Sequence, residues 1–461
     1  MACAAHLRGL CADAFCAEEN LPHARTSCRQ TRMNDSSPPP PDSHWQRGFW
    51  SLMGTQFQGA FSDNVLKWLV IYLVIAQKLP KEQLDALVSD SGMYFAIPFL
   101  LLSMLGGWMA DRFSKRHVMI GVKTMEIGIM IFATYALASG RMALQLISIC
   151  LMGVHSAFFA AAKYGSLPEV VPPKKLSWAN GVIEMLTFLA VILGTLTAAL
   201  LAQSFAGKPA WAGGILLALA MTGWFMSLGI TRVPAASPDK PLRLNFLGDL
   251  WREFKWMRTD RDLWRANLGN TGFFFIAVLL QMNLVLYAEQ VMHIDAMENS
   301  TLQVALAIGM AAGSLLAGKL SGDHVEYGLI PLGAFLMAAM SFALGCEGIS
   351  RLLFTVCLAL LGIGGGLFIV PLAAVLQHQP PADRRGSVQG AAAWLSWVGI
   401  CGAAVLQKEL NIRLGWTPGD IFWFCAASAV VGGIYVTMSR PQALPTLLKR
   451  WSHGRLNGNH G

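Results

Sequence analysis

Twelve apolar segments, each long enough to cross a lipid bilayer, constrain this chain more than any other feature. A helix needs about 20 predominantly apolar residues to span the hydrocarbon. Segments of that size lie at roughly 49–77, 91–110, 118–138, 142–163, 177–203, 211–231, 266–290, 301–320, 327–346, 351–376, 387–407 and 420–438. The sequence therefore predicts an all-α integral membrane protein of twelve transmembrane helices, six on either side of a polar break.

The composition agrees with a membrane protein. Of the 461 residues, 54% are hydrophobic and 13% are charged, whereas soluble domains carry about 25% charged residues. Two soluble domains would fit the length, but the apolar runs exclude them. The net charge of +8 would suggest nucleic acid as the partner of a soluble protein. Because no basic stripe interleaved with aromatics lies outside the spans, we expect no nucleic acid partner here.

The polar segments divide the chain into five parts. Residues 1–46 lack the apolar region of a signal peptide and contain Pro38 to Pro41, so we expect a disordered tail, with Met33 as a plausible alternative start. Residues 47–233 and 266–440 should form two six-helix bundles, and 441–461 a cytoplasmic tail. The linker, 234–265, has apolar residues at helical spacing with basic residues between them. This pattern is typical of an amphipathic helix on the membrane surface, and an ordinary solvated linker helix is an equal alternative.

The distribution of lysine and arginine predicts the orientation. With both termini inside, 25 basic residues fall in cytoplasmic segments and 7 in outer loops, while 3 lie within or at the end of spans. Cytoplasmic loops carry the excess of Lys and Arg in membrane proteins. We therefore expect an even number of spans with both termini in the cytoplasm.

The loop between the second and third spans carries a motif. Segment 107–116 combines a glycine for close helix approach, an acidic residue that can cap or pair, and three basic residues that favour the cytoplasmic side. The residues are Gly107, Asp111, Arg112, Lys115 and Arg116. The loop resembles the Gly-x-x-x-Asp-Arg-x-Gly-Arg-Lys loop of the major facilitator superfamily, with Ser114 at the usual second glycine, and we expect it to take part in the conformational change.

A weaker version of that loop, 318–324, follows the eighth span. It keeps glycine and aspartate but lacks the arginine. Two pseudo-symmetric six-helix bundles related by such a repeat are typical of transporters. In the tenth span, the glycine-rich run 362–372 contains Pro371, which favours close packing, bending, or both.

Ionisable groups inside spans are costly to bury and so indicate function. They come mostly in pairs on one helix face, together with polar neighbours: Asp63, Asn64 and Lys67; Lys123 and Glu126; Lys163 and Tyr164; Asn180 and Glu184; and Gln281 with Asn283. We expect Asp63, Lys163 and Glu184 to line a central cavity. For Lys123 and Glu126, a purely structural ion pair is as good an interpretation.

Catalytic and metal-binding patterns are missing from the sequence. The histidines are scattered, and there is no Gly-x-Ser-x-Gly, no Walker loop and no metal-ligand spacing. We therefore expect no enzyme activity, no cofactor and no metal.

Four segments point to a narrower family. Residues 56–64, 161–169, 178–184 and 365–377 resemble, respectively, the first helix, the Pro-Ala-Lys-Tyr-Gly segment, the Ala-Asn-Gly-x-x-Glu segment and the tenth helix of the bacterial lysophospholipid transporters. That resemblance covers about residues 50–440. It departs in the seventh span, where a basic residue is expected and the chain has Gln281 and Asn283.

The resemblance implies a function and a location. These transporters move lysophospholipids, chiefly lysophosphatidylethanolamine, from the outer to the inner leaflet of the bacterial inner membrane, where an acyltransferase re-esterifies them. Here that enzyme is expected to be a separate protein. Lys163, with Lys67 as a second candidate, could pair with phosphate, and Asp63 or Glu184 with an ammonium group. The remaining polar candidates for the substrate site are Asn64, Tyr164, Asn180 and Gln281.

Three alternatives stay open on the sequence. The first is a facilitator for another amphiphile, a drug or a small metabolite. The second is a membrane-anchored partner without transport activity, and the third is a membrane-embedded enzyme.

Overall fold

The computed structural model describes residues 45–76, 81–243, 245–294, 296–322, 324–447 and 449. In this part of the chain all regular structure is helical. Thirteen α-helices follow one another: α1 Trp45–Ala76, α2 Lys81–Arg112, α3 Lys115–Ser139, α4 Met142–Val170, α5 Leu176–Ser204, α6 Pro209–Ser227, α7 Phe246–Met257, α8 Arg261–Gln290, α9 Ala296–Ser321, α10 Leu329–Leu344, α11 Arg351–His378, α12 Arg385–Ile412 and α13 Pro418–Ser439.

The predicted spans correspond one for one to α1–α6 and α8–α13. Of these helices, 11 are long and apolar enough to cross a membrane. The exception is α10, an apolar helix of 16 residues, which at 1.5 Å per residue is about 24 Å long and so slightly shorter than the hydrocarbon core. The predicted tail 1–46 lies outside the described residues up to position 44, and the predicted C-terminal tail does so for most of its length.

Local signals explain where several helices begin and end. Gly140, in the left-handed conformation at φ 65°, ends α3. Thr417 and Asp420 form a reciprocal capping box at the start of α13. Proline opens α6 and α13, where a missing N–H costs nothing.

Helices α1–α6 form a first bundle and α8–α13 a second, which agrees with the predicted six-plus-six division. The first bundle contains two apolar cores, one around Phe49 and Met119 and the other around Val65 and Met130. The second bundle has one continuous core, to which the glycine-rich α11 contributes most. In α11, a Cβ on Gly366 would lie 2.3 Å from the Ser314 nitrogen of α9, so the glycines allow close packing, and the helix continues through Pro371.

The amphipathic segment of the linker is helix α7. Leu250 and Met257 are buried against the second bundle, whereas Leu247 and Trp251 are exposed. Glu253 is bound by Arg384, with 3.0 Å between the charged atoms. Only part of the apolar face therefore packs on protein, and its location at a membrane surface stays a prediction.

Candidate functional site

A central cavity of about 380 Å³ lies between the two bundles. Its walls come from α1, α2, α4 and α5 of the first bundle and from α8, α11 and α12 of the second. Its charged lining groups are Asp63, Lys67, Lys163 and Glu184. Thus the three predicted cavity residues, together with Lys67, share one chamber although they lie on three different helices.

The four charged groups are held by polar and aromatic neighbours. Ser156 Oγ donates to Asp63 Oδ2 at 2.5 Å, and Tyr164 Oη donates to Glu184 Oε1 at 3.3 Å. The Lys163 ammonium lies 4.0 Å from the centre of the Tyr164 ring, a cation–π contact. The Lys67 ammonium lies 5.8 Å from the centre of the Phe95 ring.

No direct ion pair joins any two of these four charges in the described part of the chain. Two are positive and two are negative, so the chamber is balanced in formal charge. Buried charges without direct partners are costly. A ligand carrying both an anionic and a cationic group would supply the missing partners.

The second bundle gives this cavity a different wall. Its lining residues are neutral: Asn270 and Phe274 on α8, Gln377 on α11, and Gln389, Ser396 and Trp397 on α12 are among them. Trp397 stacks on Phe99 of α2 with 4.4 Å between ring centres, which closes that flank with aromatic surface. The cavity is therefore ionic on one side and apolar with amide groups on the other.

One membrane face, which we call the basic face, carries the α2–α3 loop, helix α7 and the start of α12. The two bundles meet there through small residues. A Cβ on Gly107 would lie 2.5 Å from the Gly386 oxygen, and one on Gly181 would lie 2.4 Å from the Ser314 oxygen. Such distances exclude a side chain, so these glycines let the backbones touch.

Asp111 forms hydrogen bonds between the two bundles at this face. Its buried carboxylate accepts one hydrogen bond from the Gly386 backbone N–H at 2.6 Å and another from the Ser387 N–H at 2.9 Å. It also accepts from Ser387 Oγ at 2.8 Å and from Lys240 Nζ at 2.7 Å. The two N–H groups belong to the first turn of α12, where the helix dipole favours a negative charge. Asp111 therefore contacts the start of α12 across the boundary between the two bundles.

The basic residues of the same loop hold the linker and the helix ends. Lys115 Nζ donates to Glu169 Oε1 at 2.7 Å, and Arg116 donates to the Leu228 carbonyl at 2.7 Å. Arg112 donates to the carbonyl of Lys240.

The serine that replaces the usual glycine also has a partner. Ser114 Oγ donates a hydrogen bond to the Val233 carbonyl at 2.6 Å, so the serine adds a bond to the segment that follows α6.

Comparison with known proteins agrees with this architecture. The model of the Major Facilitator Superfamily matches residues 59–404. The chain belongs to the major facilitator superfamily. It is 29% identical over 418 residues to the lysophospholipid transporter LplT of Klebsiella pneumoniae, covering 85% of this chain and 97% of that protein. It is also 29% identical to LplT of Cronobacter sakazakii, covering 74% and 82%. Among solved structures, the human organic anion transporter MFSD10 has a TM-score of 0.72 at 15% identity, covering 86% of this chain and all of that one.

Two predicted site residues lie elsewhere in this major facilitator fold. Gln281 is exposed and does not line the cavity. It is Asn270, about three turns earlier, that faces the chamber. Asn180 is fully buried beside the cavity, where its side-chain amide exchanges hydrogen bonds with Gln377 at 3.0 and 2.7 Å. Asn180 is thus a contact between the bundles on the basic-face side of the chamber.

The remaining sequence candidates divide between the chamber and its surroundings. Asn64 and Tyr164 line the chamber with the charged groups. Lys123 and Glu126 lie outside it and form a fully buried ion pair of 2.6 Å, which is the structural alternative for that pair. In the weak second repeat, Gly318 contacts Trp178 of the first bundle, while Asp323 lies outside the described residues.

Sequence reasoning missed several cavity residues, among them His155, Asn270, Gln377 and Trp397. None of them is a lysine, arginine, aspartate or glutamate, so the cost of burying a charge gave no signal for them. The sequence offered a weak signal for His155, because it lies eight residues before Lys163 and so about 80° from it around α4, within a broad polar stripe.

Proposed function

We propose that this major facilitator protein carries lysophospholipids, with lysophosphatidylethanolamine as the type substrate, from the outer to the inner leaflet of the bacterial inner membrane. Its relatives named as lysophospholipid transporters match along most of the chain. Membership of a transporter superfamily favours transport over catalysis.

One observation carries the proposal: the two-sided cavity. A lysophosphatidylethanolamine head has one phosphate anion and one ammonium, and the first bundle offers two cations and two carboxylates that form no direct ion pair with one another among the described residues. Lys163, with Lys67, would pair with the phosphate, and Asp63 or Glu184 with the ammonium. The single acyl chain would lie along the apolar wall of Phe274, Ile369, Trp397 and Ile400.

The closed basic face supports the direction. The contacts of Asp111, Gly107 and Asn180 seal the cavity on that side. If this face is cytoplasmic, as the excess of lysine and arginine predicts, the conformation is one that receives substrate from outside. A separate acyltransferase on the cytoplasmic side would then consume the delivered lysolipid.

A second candidate is transport of another amphiphile by the same chamber. The observation in its favour is that α8 contributes only neutral residues to the cavity wall, Asn270 among them. A purely anionic head would need more positive charge than Lys67 and Lys163 provide against two carboxylates. A cationic or zwitterionic drug would satisfy the same four groups.

The test is uptake of labelled lysophosphatidylethanolamine into spheroplasts with and without the protein, followed by three neutral variants, Asp63→Asn, Lys163→Gln and Glu184→Gln. If the three residues bind the head group, each variant loses transport while its melting temperature stays nearly constant. If they form a structural ion cluster, a change leaves another charge unpaired and costs about 3–5 kcal/mol of stability.

Matched controls come from exposed charges away from the cavity. Lys319→Gln and Glu289→Gln make the same chemical changes at exposed positions and should leave uptake and melting temperature unchanged. Normal uptake by all three cavity variants would remove the head-group site. A panel of zwitterionic, anionic and cationic lysolipids and drugs, tested by binding, then separates the two candidate substrates.

A further inference from the structure

Helix α7 presents two different sides. Leu247, Trp251, Lys255 and Arg258 are exposed, and at 3.6 residues per turn they fall within about 80° of one another around the helix axis. We call these four residues the outer face of α7. It combines two large apolar side chains, which are 59% and 62% exposed, with two cations. Large apolar side chains that stay exposed beside charged groups indicate an interaction surface.

The opposite side of α7 is fixed to the protein. Leu250 and Met257 are buried in the core of the second bundle. Glu253 is buried as well, and Arg384 Nη2 lies 3.0 Å from its Oε1. The Arg384 guanidinium also lies 4.3 Å from the centre of the Trp256 ring, a cation–π contact. Because apolar packing and this ion pair set the rotation of the helix, the outer face points away from the protein.

The two cations of the outer face have no carboxylate partner within the described residues. Arg258 lies between two aromatic rings, 5.8 Å from the centre of Trp251 and 4.8 Å from that of Trp264. The rings hold the guanidinium beside the apolar pair but supply no hydrogen-bond acceptor for its N–H groups. Arg252, on the flank of the helix, is by contrast paired with Asp249. The outer face is therefore positive and open to an anionic partner.

The segments that flank α7 in the chain add two more exposed cations. Arg243 precedes the helix and Arg261 opens α8, and neither forms an ion pair with a described residue. The carboxylates that follow α7 are already engaged. Asp260 accepts hydrogen bonds from the first turn of α8, and Asp262 pairs with Arg440. The positive charge of the outer face is thus reinforced by its flanks.

Helix α7 lies level with the ends of membrane spans. Only three residues separate it from α8, and its Glu253 binds Arg384, which directly precedes α12. Both α8 and α12 are long and apolar enough to cross a membrane. The polar head groups of a bilayer lie at the ends of spanning helices, so head groups are within reach of the outer face.

We propose that the outer face of α7 binds anionic phospholipids of the leaflet at the basic face. Leu247 and Trp251 enter the boundary between head groups and acyl chains, a position that suits an amphipathic indole. Lys255 pairs with a phosphate as a point charge, and Arg258 pairs with one through two N–H donors. The lipid class follows from charge complementarity, because a zwitterionic lipid would bring an ammonium group with each phosphate and cancel most of the attraction.

This surface is separate from the substrate cavity, since no residue of α7 lines that chamber. An anionic lipid bound to α7 is therefore a resident partner and not the cargo. A ligand that binds only the folded protein stabilises it. Because α7 presents its outer face only while it packs on the second bundle, added anionic lipid should raise the melting temperature of the protein.

The experiment measures lipid binding to the full chain in a neutral detergent. Fluorescent phosphatidylglycerol, which is anionic, and fluorescent phosphatidylcholine, which is zwitterionic, carry the same acyl chains and are titrated separately, and binding is followed by anisotropy. Each Lys or Arg near an anionic lipid surface strengthens binding about fivefold. We therefore expect the native protein to bind phosphatidylglycerol about 25-fold more tightly than phosphatidylcholine. About 1 M salt should remove most of this difference, because it screens charges beyond about 3 Å.

Variants locate the binding surface. Lys255→Gln combined with Arg258→Gln should lower the affinity for phosphatidylglycerol about 25-fold and leave that for phosphatidylcholine unchanged. The matched control, Lys175→Gln combined with Lys319→Gln, removes two exposed cations outside α7 and should keep the native affinity for both lipids. Trp251→Ala should weaken the binding of both. If the double variant in α7 does not fold, Lys255→Gln alone should still lower the affinity for phosphatidylglycerol about fivefold.

Three results would overturn the inference. One is equal affinity of the native protein for the two lipids, which would mean apolar contact alone. The second is native affinity for phosphatidylglycerol in the folded double variant of α7. The third is an equal loss in the matched control, which would mean that the lipid recognises net charge and not this helix. None of these measurements depends on lysolipid uptake, because α7 lies outside the cavity.

Discussion

Asp111→Asn should open the basic face of this transporter. The native carboxylate accepts four hydrogen bonds, two from the first turn of α12, one from Ser387 Oγ and one from Lys240. Asparagine is nearly the same size and keeps one acceptor oxygen, but it removes the charge and replaces the other acceptor with a donor. The NH2 group of the asparagine is itself a donor and would lie against other donors, because Ser387 N–H and Lys240 Nζ both point at the native Oδ2.

The size of the effect follows from burial. Breaking a buried, hydrogen-bonded charge pair costs about 3–5 kcal/mol. The Lys240 side chain is 24% exposed, so solvent partly screens its interaction with Asp111. We therefore use the lower end of that range, about 3 kcal/mol, as the cost of the substitution. At about 1.4 kcal/mol per factor of ten, the ratio of closed to open basic face should fall by roughly 150-fold. On the hypothesis that Asp111 contacts the second bundle only in the closed state, the whole loss falls on that state.

The measurement is the distance between two spin labels on exposed residues of opposite bundles at the basic face, Lys175 and Ala382. In Asp111→Asn, the distance distribution should shift to longer values. The matched control is Asp239→Asn, an exposed aspartate in the same linker, which should keep the native distribution. An unchanged distribution in a folded Asp111→Asn protein would refute the view that this carboxylate closes the face.

Three further predictions follow. Gly59→Ala should lower stability by about 1–3 kcal/mol, because its Cβ would lie 2.9 Å from Lys123 Nζ and overpack the buried polar groups around that lysine. Gly128→Ala, where nothing lies within 4 Å of the added Cβ, should leave stability unchanged, and thermal unfolding in detergent compares the two variants. A reporter fused after Gly461 should be active only in its cytoplasmic form, and a periplasmic signal would contradict the predicted orientation. Deleting residues 1–32 should leave membrane insertion and uptake intact, whereas loss of folding would show that this segment is structural.

The spans and the bundle division could be predicted because they depend on composition over about 20 residues. The cavity charges could be predicted for a similar reason: Asp63, Lys163 and Glu184 are too costly inside a bilayer to be incidental. These signals are local, and each can be detected within a single apolar segment.

Other parts of the site could not be predicted from the sequence, and the reason is physical. Asn270 and Gln281 are about three turns apart and so lie on nearly the same side of α8, and the sequence does not show which turn is level with the cavity. The mutual hydrogen bonds of Asn180 and Gln377 join residues 197 positions apart, and one sequence without its fold cannot pair them. The buried hydrogen bonds of Gln58 with Lys123 and Glu126 depend on the same kind of long-range contact.

The two bundles are therefore unequal in chemistry although they share one architecture. The first bundle holds every charged group that lines the cavity, and it also holds the buried ion pair of Lys123 and Glu126, which His155 contacts from the cavity. The second presents amides, aromatic rings and aliphatic side chains.

During alternating access one bundle rocks against the other around the site. Charges confined to one bundle keep their mutual distances during that motion, so the ionic part of the site moves as one body. The neutral wall then changes its contacts at little electrostatic cost, which suits a substrate whose head is ionic and whose tail needs only an apolar surface to slide along.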